Sequence, residues 1–110
     1  MMNKYITIDG RAIGADYPPY IIAEMSANHN GDVNKAFEII CQAKRMGAYA
    51  VKIQTYTADT LTLDSHLPDF QINTGLWTGK SLYELYQIAA TPWEWHKDLF
   101  EVARKNDITM

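Results

Sequence analysis

The sequence predicts an α/β fold, and three observations predict it. Short apolar runs alternate with stretches whose apolar residues recur every three or four positions. An Asp-Gly pair sits between two such runs near the N-terminus. Two successive strand-like runs each carry an ionisable residue near the carboxyl end, Glu24 in the first and Lys52 in the second. That last feature suggests a site at the top of a parallel sheet or barrel.

The elements follow in order. Ile6-Thr7-Ile8 and Arg11-Ala12-Ile13 flank Asp9-Gly10, which predicts a β-hairpin over about residues 5–14. Tyr17-Pro18-Pro19-Tyr20 is an extended linker, because each proline fixes φ and restricts the residue before it. Ile21 to Ser26 is nearly continuously apolar, as in a strand covered on both faces. Asp32 can cap the next helix. Val33, Ala36, Phe37, Ile40 and Ala43 form one apolar stripe on it, and Gly47 fits the position after its end. The second strand starts near Tyr49, which makes a strand–helix–strand unit of the usual crossover size.

Thr55 to Lys80 reads as a long connection containing Gly75 and Gly79. Ser81-Leu82-Tyr83-Glu84 is a capping box, and Thr91-Pro92-Trp93-Glu94 reads as a second, with proline at the first helical position. The last helix runs to about Lys105, with Leu99, Phe100 and Ala103 as expected core contacts. Residues 107–110 read as the opening of a third strand. The first two βα units therefore occupy about residues 20–105. Periodicity alone leaves an open sheet and a (β/α)8 barrel equally available. A chain that stops while opening a strand reads as part of a longer protein.

Composition narrows the function classes. A net charge of −3 leaves no basic footprint for nucleic acid. No apolar run approaches the ~20 residues that span a bilayer. Met1-Met2-Asn3-Lys4-Tyr5 lacks the apolar core of a secretory signal. Cys41 is the one cysteine, which excludes an internal disulfide framework and fits a reducing, cytoplasmic setting; its helix face makes it a core residue.

Alternation along a strand places Ile22, Glu24 and Ser26 on one face, and Lys52 and Gln54 on one face. Glu24 and Lys52 can then meet near the upper rim. One reading is a buried ion pair that fixes strand register. The other is a functional lysine awaiting a phosphate or carboxylate, with the glutamate handling a proton or a hydroxyl. A Schiff-base lysine fits the same residue. Asn28 and His29 precede the helix cap and are read as lining the pocket. His29, His66 and His96 have no metal-ligand spacing, and His96 reads as a packing or surface residue.

The runs Ile21-Ile22-Ala23-Glu24-Met25-Ser26-Ala27-Asn28-His29-Asn30-Gly31 and Val51-Lys52-Ile53-Gln54-Thr55-Tyr56 resemble the opening motifs of the sialic acid synthase family. Lys52 to Thr57, Gly75-Leu76-Trp77, Leu82 to Tyr86 and Thr91 to His96 are similar to its pseudaminic acid branch. The resemblance runs from Ile6 onward. It implies the N-terminal portion of a (β/α)8 TIM barrel, preceded by a hairpin that closes the barrel bottom and incomplete in this chain. It implies condensation of phosphoenolpyruvate with an N-acetylated amino sugar. N-acetylneuraminate or legionaminate synthesis, and a non-catalytic truncated remnant, stand as alternatives. Lys52 matches the family lysine that binds the phosphoenolpyruvate anion, and Glu24 matches the family glutamate at the site. Asn28, His29, Gln54 and Tyr56 become secondary substrate-binding candidates. The family implies a divalent metal, Mn2+ or Mg2+, whose ligands are not expected in this chain. It also implies a homodimeric whole enzyme, and the 110 residues alone are expected to be inactive.

Overall fold

The computed structural model describes residues 4–110. Met1 to Asn3, part of the segment read above for a secretory signal, lie outside the described residues. The hairpin forms from β1 (Tyr5–Ile8) and β2 (Arg11–Gly14), antiparallel, with Ile8 opposite Arg11. Asp9 and Gly10 both take positive φ, 49° and 77°, as a two-residue turn matched to strand twist requires.

The central unit is β3 (Ile22–Glu24), α1 (Val33–Arg45) and β4 (Ala50–Lys52). β3 and β4 are parallel, with Ile22 opposite Ala50 and Glu24 opposite Lys52. Asp32 caps α1 by accepting a hydrogen bond from the Asn34 amide at 2.9 Å. The backbone leaves α1 through Gly47 at φ 93°. On the other side of β4, Thr109 pairs in parallel with Ala50, and the Val51 amide donates to the Thr109 carbonyl at 2.8 Å.

One face of this small sheet is covered. Met25, Val51 and Ile108 pack beneath Ala36 and Ile40 of α1 and Leu99 and Ala103 of α4 (His96–Lys105). On the other face Ile22, Glu24 and Lys52 stand in register and exposed, with no helix packed over them among the described residues. The expected burial on both faces is thus corrected: Ile21 and Ile22 are each 50% exposed. The radius of gyration, 17.3 Å, exceeds the ~13–14 Å of a closed domain this size, as an open-faced layer should. The hairpin tip reaches the amino ends of the strands. There Thr109 Oγ1 donates to Asp9 Oδ2 at 2.7 Å, and the Arg11 guanidinium lies 3.7 Å from the Tyr49 ring centre.

Several boundaries differ from the sequence reading. The first strand ends at Glu24, because Ser26 enters the left-handed region at φ 50° and turns the chain. Ser26 therefore does not extend the Ile22–Glu24 face. The second strand ends at Lys52, so Gln54 lies beyond it. The long connection carries α2 (Ala58–Leu61) and a 3-10 turn (Pro68–Phe70). α3 (Leu82–Ala89) starts from the Ser81–Glu84 capping box. The second box does not form. Thr91 is buried with its backbone amide bonded to the Gln54 carbonyl, and a 3-10 turn (Trp93–Trp95) starts after Pro92. Phe100 is 47% exposed, so the α4 stripe falls on Leu99 and Ala103 instead. Cys41 is half-buried, at the margin of the core rather than within it.

Candidate active site

Glu24 and Lys52 are the last residues of two adjacent parallel strands, and their register makes them direct neighbours. Their side chains stand on the helix-free face, with Lys52 Nζ 3.2 Å from Glu24 Oε1. The side chains are 54% exposed for Lys52 and 60% for Glu24. An ion pair this wet contributes ~0–1 kcal/mol to stability. A buried register pin, the structural alternative, is therefore not what these residues form. They present an ammonium and a carboxylate side by side at the carboxyl ends of parallel strands, where α/β folds hold ligands. An incoming anion can take Lys52 from Glu24 at small cost, leaving the carboxylate free to accept a proton or a hydroxyl hydrogen bond.

The segment after Lys52 splits its side chains between two cavities. Lys52, Thr55 and His96 share an open groove of about 490 Å3 with apolar Ile22, Ile53 and Phe100. Thr55 Oγ1 hydrogen-bonds His96 Nε2. Gln54 is exposed, with its carbonyl held by the Thr91 amide at 2.9 Å. Tyr56 turns to a separate cavity of about 380 Å3 with Asp59, Tyr83, Tyr86 and Gln87. Its ring meets Tyr86 edge-on at 5.7 Å, and burial, aided by Tyr86, raises its hydroxyl pKa. Strict alternation would have put Tyr56 with Lys52 and Thr55 on the opposite side; the segment departs from it because the strand ends at Lys52.

Asn28 and His29 do not line a cavity among those described. The positive φ of Ser26, Asn30 and Gly31 curls the loop back on itself. Asn28 Nδ2 then donates to the Met25 carbonyl at 2.9 Å. The His29 ring is fully buried, edge-on to Trp95 at 5.1 Å, and its Nδ1 accepts from the Gly31 amide at 3.0 Å. That bond fixes a neutral ring protonated at Nε2, and desolvation lowers its pKa. In this structure both residues hold the loop rather than line one of these cavities. His96 is the converse case: read as packing or surface, it lines the groove with Lys52.

Among the described residues no three His, Cys, Asp or Glu side chains gather as a metal-ligand set. Among them, too, no helix is long and apolar enough to cross a membrane.

Comparison with known proteins places this geometry. The chain is 53% identical over 93 residues to the pseudaminic acid synthase of Campylobacter jejuni, covering 84% of this chain and 27% of that protein. It is 54% identical over 91 residues to the pseudaminic acid synthase of Helicobacter pylori, covering 83% and 27%. The chain thus spans about a quarter of the length of these curated relatives. The crystal structure of N-acetylneuraminic acid (sialic acid) synthetase from Leptospira borgpetersenii superposes with a TM-score of 0.72 at 27% identity, over 94% of this chain and 32% of that one. Residues 39–110, from the middle of α1 to the strand after α4, match the NeuB family, and with it the chain belongs to the NeuB family.

Proposed function

We propose that the protein carrying this chain condenses phosphoenolpyruvate with a 2,4-diacetamido-trideoxy hexose, giving a nine-carbon nonulosonic acid and phosphate. The observation that carries this reading is the exposed Glu24–Lys52 pair at the carboxyl ends of two parallel strands. The identity to pseudaminic acid synthases supports the choice of sugar. In this reading β3, β4 and the strand at Thr109 are the first strands of a (β/α)8 barrel, and their helix-free face is its interior.

Lys52 binds the phosphoenolpyruvate anion, exchanging Glu24 for a phosphate or carboxylate oxygen. The C3 carbon of phosphoenolpyruvate attacks the aldehyde carbon of the open-chain sugar. Water adds at C2, and phosphate leaves by C–O cleavage. Glu24, released from its ion pair, accepts the proton of that water or a sugar hydroxyl. Gln54 contributes hydrogen bonds to the sugar, while Asn28, His29 and Tyr56 hold the surrounding loops. The divalent metal implied by the family would, when bound, supply Lewis-acid activation of the aldehyde. The described residues do not form a site for it, so no step above depends on it. Turnover is assigned to the whole protein, a homodimer in this reading, and the 110 residues alone are proposed to be inactive.

The test is phosphate release by the whole protein with phosphoenolpyruvate, manganese and each of three hexoses. The diacetamido-trideoxy sugar of the pseudaminic series should give the highest kcat/KM. A higher value with N-acetylmannosamine or the legionaminic precursor would reassign the substrate, and no release with any of them would refute the reading. Release by residues 1–110 alone would overturn the assignment of turnover to the whole protein.

A further inference from the structure

We infer that His96 is a positioning residue for the site, acting through Thr55 to brace the chain just beyond Lys52. The inference rests on the proposed role of Lys52 in binding phosphoenolpyruvate. It starts from what fails to hold Lys52. The Glu24–Lys52 pair is more than half exposed, so it cannot by itself fix either side chain. The parallel ladder supports the strand only as far as Lys52, whose carbonyl accepts from the Met25 amide at 2.9 Å. Ile53 to Tyr56 lies outside any strand, yet it carries Gln54 and continues directly from the lysine.

Two bonds brace that segment, and both come from residues 91–96. The Thr91 amide donates to the Gln54 carbonyl at 2.9 Å. Thr55 Oγ1 pairs with His96 Nε2. The imidazole is itself fixed between rings, with centroids 5.1 Å from Trp93 and 6.2 Å from Phe100. His96 is also the first residue of α4, whose Leu99 and Ala103 are seated in the core three and seven positions on. The helix therefore transmits the rigidity of the core to the end of the lysine-bearing strand. A displacement of about 1 Å at a reacting group can cost on the order of 100-fold in rate.

The experiment compares His96→Phe, which keeps a ring and drops the bond, with Thr55→Val, the double variant, and His96→Gln, whose amide can reach the same hydroxyl. In the whole protein, His96→Phe and Thr55→Val should each lower kcat/KM for phosphoenolpyruvate about tenfold or more, mainly through KM. The double variant should be no worse than the worse single, and His96→Gln should recover most of the loss. Amide hydrogen exchange is the second readout and needs no activity: Ile53 to Tyr56 should exchange faster in both single variants. Losses within twofold, or losses that multiply in the double variant, would overturn the inference. So would unchanged exchange at residues 53–56. If the unmutated protein shows no turnover but exchange rises as stated, the brace stands and the assigned reaction fails.

Discussion

Replacing Lys52 by methionine separates function from stability. Methionine keeps the length and most of the apolar stem while removing the charge. The magnitude follows from the exposure of the pair. Had Glu24 and Lys52 been buried, removing one partner would cost ~3–5 kcal/mol by stranding a charge. With 54% and 60% of the side chains exposed, water resolvates Glu24, and the loss should stay below ~1 kcal/mol. Urea unfolding of the chain and of K52M, followed by circular dichroism, reads this as a midpoint shift at unchanged m-value. In the whole protein the same substitution should lower kcat/KM for phosphoenolpyruvate on the order of 100-fold or more, since a charge-assisted contact to the substrate anion is lost. A stability loss above ~2 kcal/mol would show that the pair is structural after all. Full activity in K52M would show that Lys52 does not bind the anion.

Other substitutions test the frame around the site. Leu99→Ala, at a fully buried position between α1 and the sheet, should cost ~2–5 kcal/mol in urea unfolding, and a loss below ~1 kcal/mol would unseat α4 from the core. Ser81→Ala should cost ~1 kcal/mol by removing a formed cap, whereas Thr91→Val should be neutral or stabilising because the buried Thr91 hydroxyl has no partner among the described residues; equal losses would contradict a cap formed at Ser81 and not at Thr91. Burial depresses the His29 pKa in the folded state, so as pH falls the unfolded chain takes up the proton first. Stability should therefore fall as pH drops below the unfolded value near 6.5, and His29→Asn should flatten that slope in pH-dependent urea midpoints; an unchanged slope would remove His29 as its source.

Local rules located most of the elements. The Asp9-Gly10 turn, the Asp32 cap, the Gly47 exit and the Ser81–Glu84 box each depend on a few adjacent residues, and each formed where those residues stand. The α1 stripe was legible for the same reason, because 3.6-residue periodicity is a property of the helix itself. Thr91-Pro92-Trp93-Glu94 shows where such rules stop. It has the same local signature as the Ser81 box, but its backbone amide is claimed by Gln54, distant in sequence, and the turn after it tightens to 3-10. A cap signature is a competition between local and tertiary partners, and only the local contestant is written in the neighbouring residues.

The site was legible only up to the strand ends, for a geometrical reason. Alternation identifies which residues share a face while the chain stays extended, and that sufficed to bring Glu24 and Lys52 together. It says nothing about where extension stops. Ser26 at φ 50° ends the first strand although serine carries no strong preference for that region. Past that point a residue's direction is set by the loop's path, which sends His29 into the core against Trp95. Past Lys52 the same holds, and the path is set by bonds to residues 91 and 96. Ligand-binding residues of α/β folds gather at strand carboxyl ends, so the site lies where pattern reading loses its footing. Glu24 and Lys52, still on the strands, could be found by alternation; His96, which reaches the groove from a helix forty-one positions after Thr55, could be found only once the chain was folded.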